Sequence, residues 1–169
     1  AVRNDDRLGA LLEADRLGPI LGLHHQGRGP GFLQERLKDG LQRGIHAGVR
    51  EGWAVDGAEG FVYTVDWSGA PVVRQRMHWV VCEALAAAAT LHAVTGDEMY
   101  AVCHGHWWAY ADRVLIDHER GSWHHELDPA NRPAAGTWSG KPDVYHAFQA
   151  TLAPRLPVWP PFARALAGG

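Results

Sequence analysis

Cysteine is scarce, charge is nearly balanced and no long apolar run occurs. The two cysteines, Cys82 and Cys103, are too few among 169 residues to build a disulfide framework or, by themselves, a structural zinc site. The 16 basic residues are outnumbered by 19 acidic ones, for a formal charge of −3. No broad basic surface is therefore expected, and nucleic acid is set aside as a partner class. No apolar stretch approaches the roughly 20 residues that span a bilayer. The opening Ala1-Val-Arg-Asn-Asp-Asp6 does not have the plan of a signal peptide. A membrane partner is not expected, and the cytoplasm is the expected compartment. There is no Gly-x-Ser-x-Gly elbow, no phosphate-cradling glycine loop and no dinucleotide fingerprint.

Hydrophobic residues make up 46% of the chain and charged ones 21%. That balance excludes disorder and fits one globular domain with a real core. The unusual entries are 8 tryptophans and 11 histidines. Indole rings beside imidazoles suit a pocket that stacks on rings and moves protons, a composition common in sugar-handling proteins. The alternative is that many of them simply pack.

Along the chain, Asp6–Leu17 and Phe32–Gly52 read as helices of weak periodicity, separated by the Gly27–Gly31 stretch. Phe61-Val-Tyr-Thr-Val65 and Pro71-Val-Val73, joined by Asp66-Trp-Ser-Gly69, read as a short β-hairpin. His78–Thr95 carries an Ala-rich helical run ended by Gly96 as C-cap. Asp97 then caps a second helix over Glu98–Asp117, which makes an antiparallel helical hairpin. Residues 118–140 read as a long loop, and a loop of that length in a compact domain usually has a task. A helix is expected from Pro142 to Ala153, followed by a Pro-rich tail and a short helix at Phe162–Leu166.

Two constellations could carry chemistry. Trp79 and Glu83 are four residues apart and so share one helix face. A ring beside a carboxylate can stack on a sugar and accept its hydroxyl hydrogens; the alternative is a core Trp with Glu83 paired to an arginine. Asp143 and His146 stand at a helix start, where the positive dipole end favours a neutral imidazole that can serve as general base. The alternative there is a capping Asp143 beside a core histidine. His104 and His106 are two apart on a helix and diverge, and His24 and His25 lie in an unpatterned region. In an extended Trp123-His-His-Glu126, His124 and Glu126 would share a side, without a third ligand at a recognised spacing. No metal site is expected.

Taken in order, Glu59-Gly-Phe-Val-Tyr-Thr-Val-Asp-Trp67, Arg76-Met-His-Trp79, Glu83-Ala-Leu85, Leu115-Ile-Asp-His118, Trp123-His-His-Glu-Leu-Asp128 and Trp138-Ser-Gly-Lys-Pro-Asp-Val-Tyr-His146 form a pattern. This pattern resembles the N-acylglucosamine 2-epimerase family, most closely its bacterial mannose-isomerising branch. The resemblance implies an all-α fold, an (α/α)6 toroid of which about half is present, with a short β-hairpin and long pocket loops. A twelve-helix ring needs roughly 300 residues or more, given helices of about 11–12 residues and their connections.

The resemblance also implies chemistry. Members isomerise D-mannose to D-fructose or epimerise sugars at C2 by histidine acid/base proton transfer, without a cofactor. On this sequence it assigns His146 as a catalytic histidine and a monosaccharide as partner. Trp79, Glu83, Trp123 and Glu126 become substrate-binding residues. Residues 51–169 are then the C-terminal half of the ring, and residues 1–50 a poorly patterned segment outside it. The family's second histidine lies in a Pro-Gly-His-x-x-Glu-Trp segment, whereas the nearest string here is Pro30-Gly-Phe-Leu-Gln-Glu-Arg36. An inactive fragment is therefore expected, and helix faces left without neighbours favour self-association into a homo-oligomer. Two other functions stay open: a toroidal glycoside hydrolase using Glu83 and Glu126, and a non-catalytic interaction protein.

Overall fold

A computed structural model describes residues 30–167; the expected helix at Asp6–Leu17 and the His24-His25 pair lie outside the described residues. The first helix among the described residues, α1, runs Pro30–Gly52. Trp53, immediately after it, bridges to Phe61. The expected hairpin forms in shortened form, as β1 (Thr64–Val65) and β2 (Pro71–Val73), with Thr64 opposite Val73. Phe61 does not join it. Its ring turns into the core against Trp53 at 4.9 Å and Trp107 at 5.3 Å, because burial of a large aromatic outweighs two more ladder bonds. Asp66 shapes the turn, accepting the Ser68 and Ala70 amides at 2.8 and 3.0 Å.

Strand β3 (Arg76–Met77) leads directly into α2 (His78–Thr95). Gly96 ends α2 in the left-handed region, φ 69°, and its amide donates to His92 O. Asp97 then caps α3 (Glu98–Tyr110) by accepting the Met99 amide at 2.9 Å. The expected α-helix to Asp117 is cut short. A π-helical turn occupies Ala111–Leu115, and Ile116 is extended and bridges to Trp123. Asp117 supplies the reason, since its carboxylate accepts the Glu119 and Arg120 amides and offers the backbone a turn instead.

Residues 118–140 are not simply a loop. They contain β4 (Glu126–Leu127) and β5 (Pro133–Ala134), which complete a three-stranded antiparallel sheet in the order β3-β4-β5. The last long helix also starts later than expected. Pro142 and Asp143 precede it, Asp143 accepts the Tyr145 amide at 2.9 Å, and α4 spans Tyr145–Leu152. A short α5 follows at Phe162–Leu166. Among the described residues no helix is long and apolar enough to cross a membrane.

Helix α2 is central, packing against α1, α3 and α4. It buries Val81, Cys82, Leu85 and Ala88 against Trp53, Phe61, Cys103, Trp107 and Tyr110. Both cysteines are free, and burial pushes their thiols up to about 12 for Cys82 and about 11 for Cys103. Arg76 is completely buried, and its Nη1 and Nη2 donate to the two carboxylate oxygens of Asp56 at 2.8 and 2.7 Å. That guanidinium holds the Asp56 carboxyl below the usual carboxylate range. Removing one member of such a pair strands the other charge. Asp56→Ala is expected to lower the unfolding free energy by about 3–5 kcal/mol, read from urea denaturation; a loss below about 1 kcal/mol would contradict the role given to this pair.

Candidate active site

The first turns of α2 and α4 converge. His78, Trp79 and Glu83 come from α2, because β3 ends where the helix begins and Trp79 and Glu83 are one turn apart. His146 is the second residue of α4. Its Nε2 lies 3.7 Å from Glu83 Oε1, with the two side chains 29% and 55% exposed. The Trp79 ring stands 6.0 Å from the imidazole, tilted by 41°, and Tyr145 meets the same imidazole edge-on at 4.8 Å. Tyr63, beside β1, closes the outer side of Trp79 at 5.9 Å. Trp79 is only partly buried, and the carboxylate facing His146 is Glu83. The structure thus brings together the residues of both sequence constellations in reach of solvent.

His78 forms the floor. It is 3% exposed, its amide donates to His125 O at 3.2 Å, and its Nδ1 lies 3.3 Å from the same oxygen. Nδ1 therefore carries the proton, and Nε2 is an acceptor that finds no partner among the described residues. Burial pushes His78 down to about 4, only partly offset by its hydrogen bond to the His125 carbonyl. The ring meets His125 at 5.0 Å and His146 at 6.0 Å, edge-on in both cases. His125 in turn stacks under Trp138, at 5.5 Å and 13° between planes.

Two of the expected site residues do not join this surface. Trp123 is 8% exposed and belongs to the core, packed edge-on against Trp108 at 6.2 Å. Glu126 is 1% exposed, and its Oε2 accepts the Thr137 and Trp138 amides. Neither offers a surface to a ligand. The residues missed are His78, His125 and Trp138. His125 stands at a bend between the buried Trp123 and the buried pair Glu126–Leu127, so no period in the sequence marks it. His104 stacks on Trp108 and His106 lies 3.6 Å from Glu59, on separate sides of α3. Among the described residues no three His, Cys, Asp or Glu side chains converge as a metal site would require.

Residues 34–150 match the N-acylglucosamine 2-epimerase (GlcNAc 2-epimerase) family. The chain is 59% identical over 122 residues to a D-mannose isomerase of Thermobifida fusca, which covers 72% of this chain and 30% of that protein. It is 53% identical over 119 residues to a D-mannose isomerase of Pseudomonas cannabina pv. alisalensis, covering 70% and 29%. The chain thus spans about 30% of the length of the curated relatives it matches. Among solved structures, a D-mannose isomerase superposes with a TM-score of 0.61 at 22% identity, over 89% of this chain and 35% of that one. A cellobiose 2-epimerase from Spirochaeta thermophila gives 0.57 at 15% identity, over 89% and 35%. The expected (α/α)6 toroid fold stands, but this chain covers about a third of each neighbour's length, not the expected half.

The buried His78 sets a pH dependence. In the unfolded chain it takes up a proton near its ordinary 6.5, in the folded one only near 4. The unfolded state therefore binds more protons between those values, and stability falls as pH drops through that window, by up to about 3 kcal/mol. His78→Asn is expected to remove this part, so that urea midpoints at pH about 7 and about 4.5 lie closer together than in the native chain. An unchanged gap between the two midpoints would count against it.

Proposed function

Because the chain belongs to the N-acylglucosamine 2-epimerase family, we propose that His146, Glu83 and Trp79 form one wall of a monosaccharide site in a sugar isomerase acting on D-mannose and D-fructose. The observation that carries this reading is the 3.7 Å approach of His146 Nε2 to Glu83 Oε1 on an exposed surface beside Trp79. Aldose–ketose isomerisation needs a base that removes the proton from C2 and returns one to C1, through an enediol. His146 has the chemistry for that transfer. Once it takes the proton, Glu83 lies where it stabilises the imidazolium and keeps the ring oriented. Trp79 offers an apolar face to the sugar's C–H bonds.

The glycosidase reading is less well supported. It needs two carboxylates flanking one bond, and Glu126 is buried with its Oε2 engaged by the backbone. For this chain alone, low activity is expected, since the sequence has no Pro-Gly-His-x-x-Glu-Trp segment to supply a second histidine.

The same proposal extends to assembly. Val144 is 74% exposed, Phe148 54% and Leu166 54%, and they line one apolar groove with Leu152 and Phe162. Such a face favours association. Sedimentation of the chain is expected to depend on concentration, with Phe148→Glu reducing the effect; a monomer at every concentration contradicts it.

The catalytic reading is tested in a complete ring, made by grafting residues 34–150 into the 59%-identical Thermobifida fusca protein. With D-mannose in heavy water, deuterium is expected to enter at C1 of the D-fructose formed and, by reversal of the same enediol, at C2 of the recovered mannose. His146→Asn should slow that exchange by about 10²–10⁴-fold, and Glu83→Gln by a smaller factor. Exchange at the unmutated rate in His146→Asn would overturn the assignment.

A further inference from the structure

The segment after β5 is held by a side chain that the proposed chemistry does not use. Glu126 Oε2 accepts the Thr137 amide at 2.8 Å and the Trp138 amide at 3.3 Å. Its Oε1 lies against Gly136, where a Cβ would come within 3.1 Å. Three consecutive residues thus close on one carboxylate that is 1% exposed. A buried carboxylate requires donors, and two donors from adjacent residues fix both the place and the direction of the strand of chain that carries them. The side chain that follows is Trp138, 52% exposed and lying parallel to His125. His125 is held from its other side, where its carbonyl receives the His78 amide. The His78 ring reaches His146 at 6.0 Å.

We propose that Glu126 is a positioning residue of the candidate site: it touches no sugar, and it sets Trp138 on His125 as the wall beside His78 and His146. The proposal rests on the sugar-site reading for its purpose, but its geometry can be tested without turnover. His125 stands at the bend just before β4, so the Glu126 side chain is buried while the His125 ring stays partly exposed beside the site. The buried carboxylate converts the rigidity of β4 into a defined position for an exposed indole. Without such an anchor an exposed ring samples many orientations, and fixing it in one costs side-chain entropy.

Ring protons of a histidine lying under an indole are shifted upfield by its ring current, so His125 reports where Trp138 sits. In the full chain, nuclear magnetic resonance is expected to show this shift, and Trp138→Ala to abolish it. Glu126→Ala should remove most of it while the buried Trp107 indole signal stays in place. Exchange of the Thr137 and Trp138 amides should quicken about tenfold or more in Glu126→Ala, as expected when a charged acceptor is lost. Glu126→Gln keeps one acceptor oxygen and the side-chain shape. It should retain the His125 shift, with a smaller, few-fold rise in exchange confined to those two amides. If Glu126→Ala does not fold, the Gln variant decides. A folded Glu126→Ala with the native His125 shift, or a Glu126→Gln whose two amides exchange at the native rate, overturns the proposal. A complete ring that is inactive yet shows these shifts, and their loss in Glu126→Ala, supports the positioning role while overturning the sugar reading.

Discussion

The structure depends on the burial of one guanidinium. Arg76 meets both oxygens of Asp56, the carbonyls of Ala58 and Glu59, and the carbonyl of Arg74. An arginine wholly removed from water is tolerable only with its donors matched in this way. The matching fixes the path of residues 54–60 around it. It leaves so little room that a Cβ on Gly60 would come within 2.3 Å of the Tyr110 hydroxyl, where the backbone takes φ 109°. Tyr110 donates to Asn131 Oδ1, and Asn131 Nδ2 donates to Glu59 O. A few polar groups therefore join the loop after α1, the end of α3 and the turn between β4 and β5. Arg76 also lies two residues before His78 and opposite Leu127 in the sheet. The residues that frame the site are built outward from it.

What was legible in the sequence was what is decided locally. The bounds of α2 follow from an Ala-rich run and a glycine that can take a left-handed φ, and the start of α3 from an aspartate that caps it. Trp79 and Glu83 share a face because a helix repeats every 3.6 residues, and the facing His146 was marked by its position near a helix start. The π-helical turn at Ala111–Leu115 had no such marker. Its cause is a competing turn at Asp117, which acts only once residues 117–122 fold back.

What escaped was non-local. Strands β3, β4 and β5 are two residues long each, too short to leave a period, and β3 pairs with β4 across about fifty residues of chain. Without that sheet, the segment Trp123–Glu126 has no defined inside. The expectation that His124 and Glu126 share one side of an extended strand fails, since residue 125 is a bend and Glu126 is buried. The sheet turns Glu126 into the interior and His125 outward, and Trp123 is drawn into the core by Trp108. The side each residue of this segment faces is a property of the pairing.

The pairing of Arg76 with Leu127 and of Met77 with Glu126 has a consequence in time as well as space. The α2–α3 hairpin closes over two residues, so its contacts form at little loop entropy. The β3–β4 contact must close a loop of about fifty residues before it gains anything, and each doubling of a loop adds about 0.6 kcal/mol. Folding is therefore ordered, with the helical hairpin first and the wall of the site last. By the same energetics, that wall is expected to open before the α2–α3 hairpin unpacks.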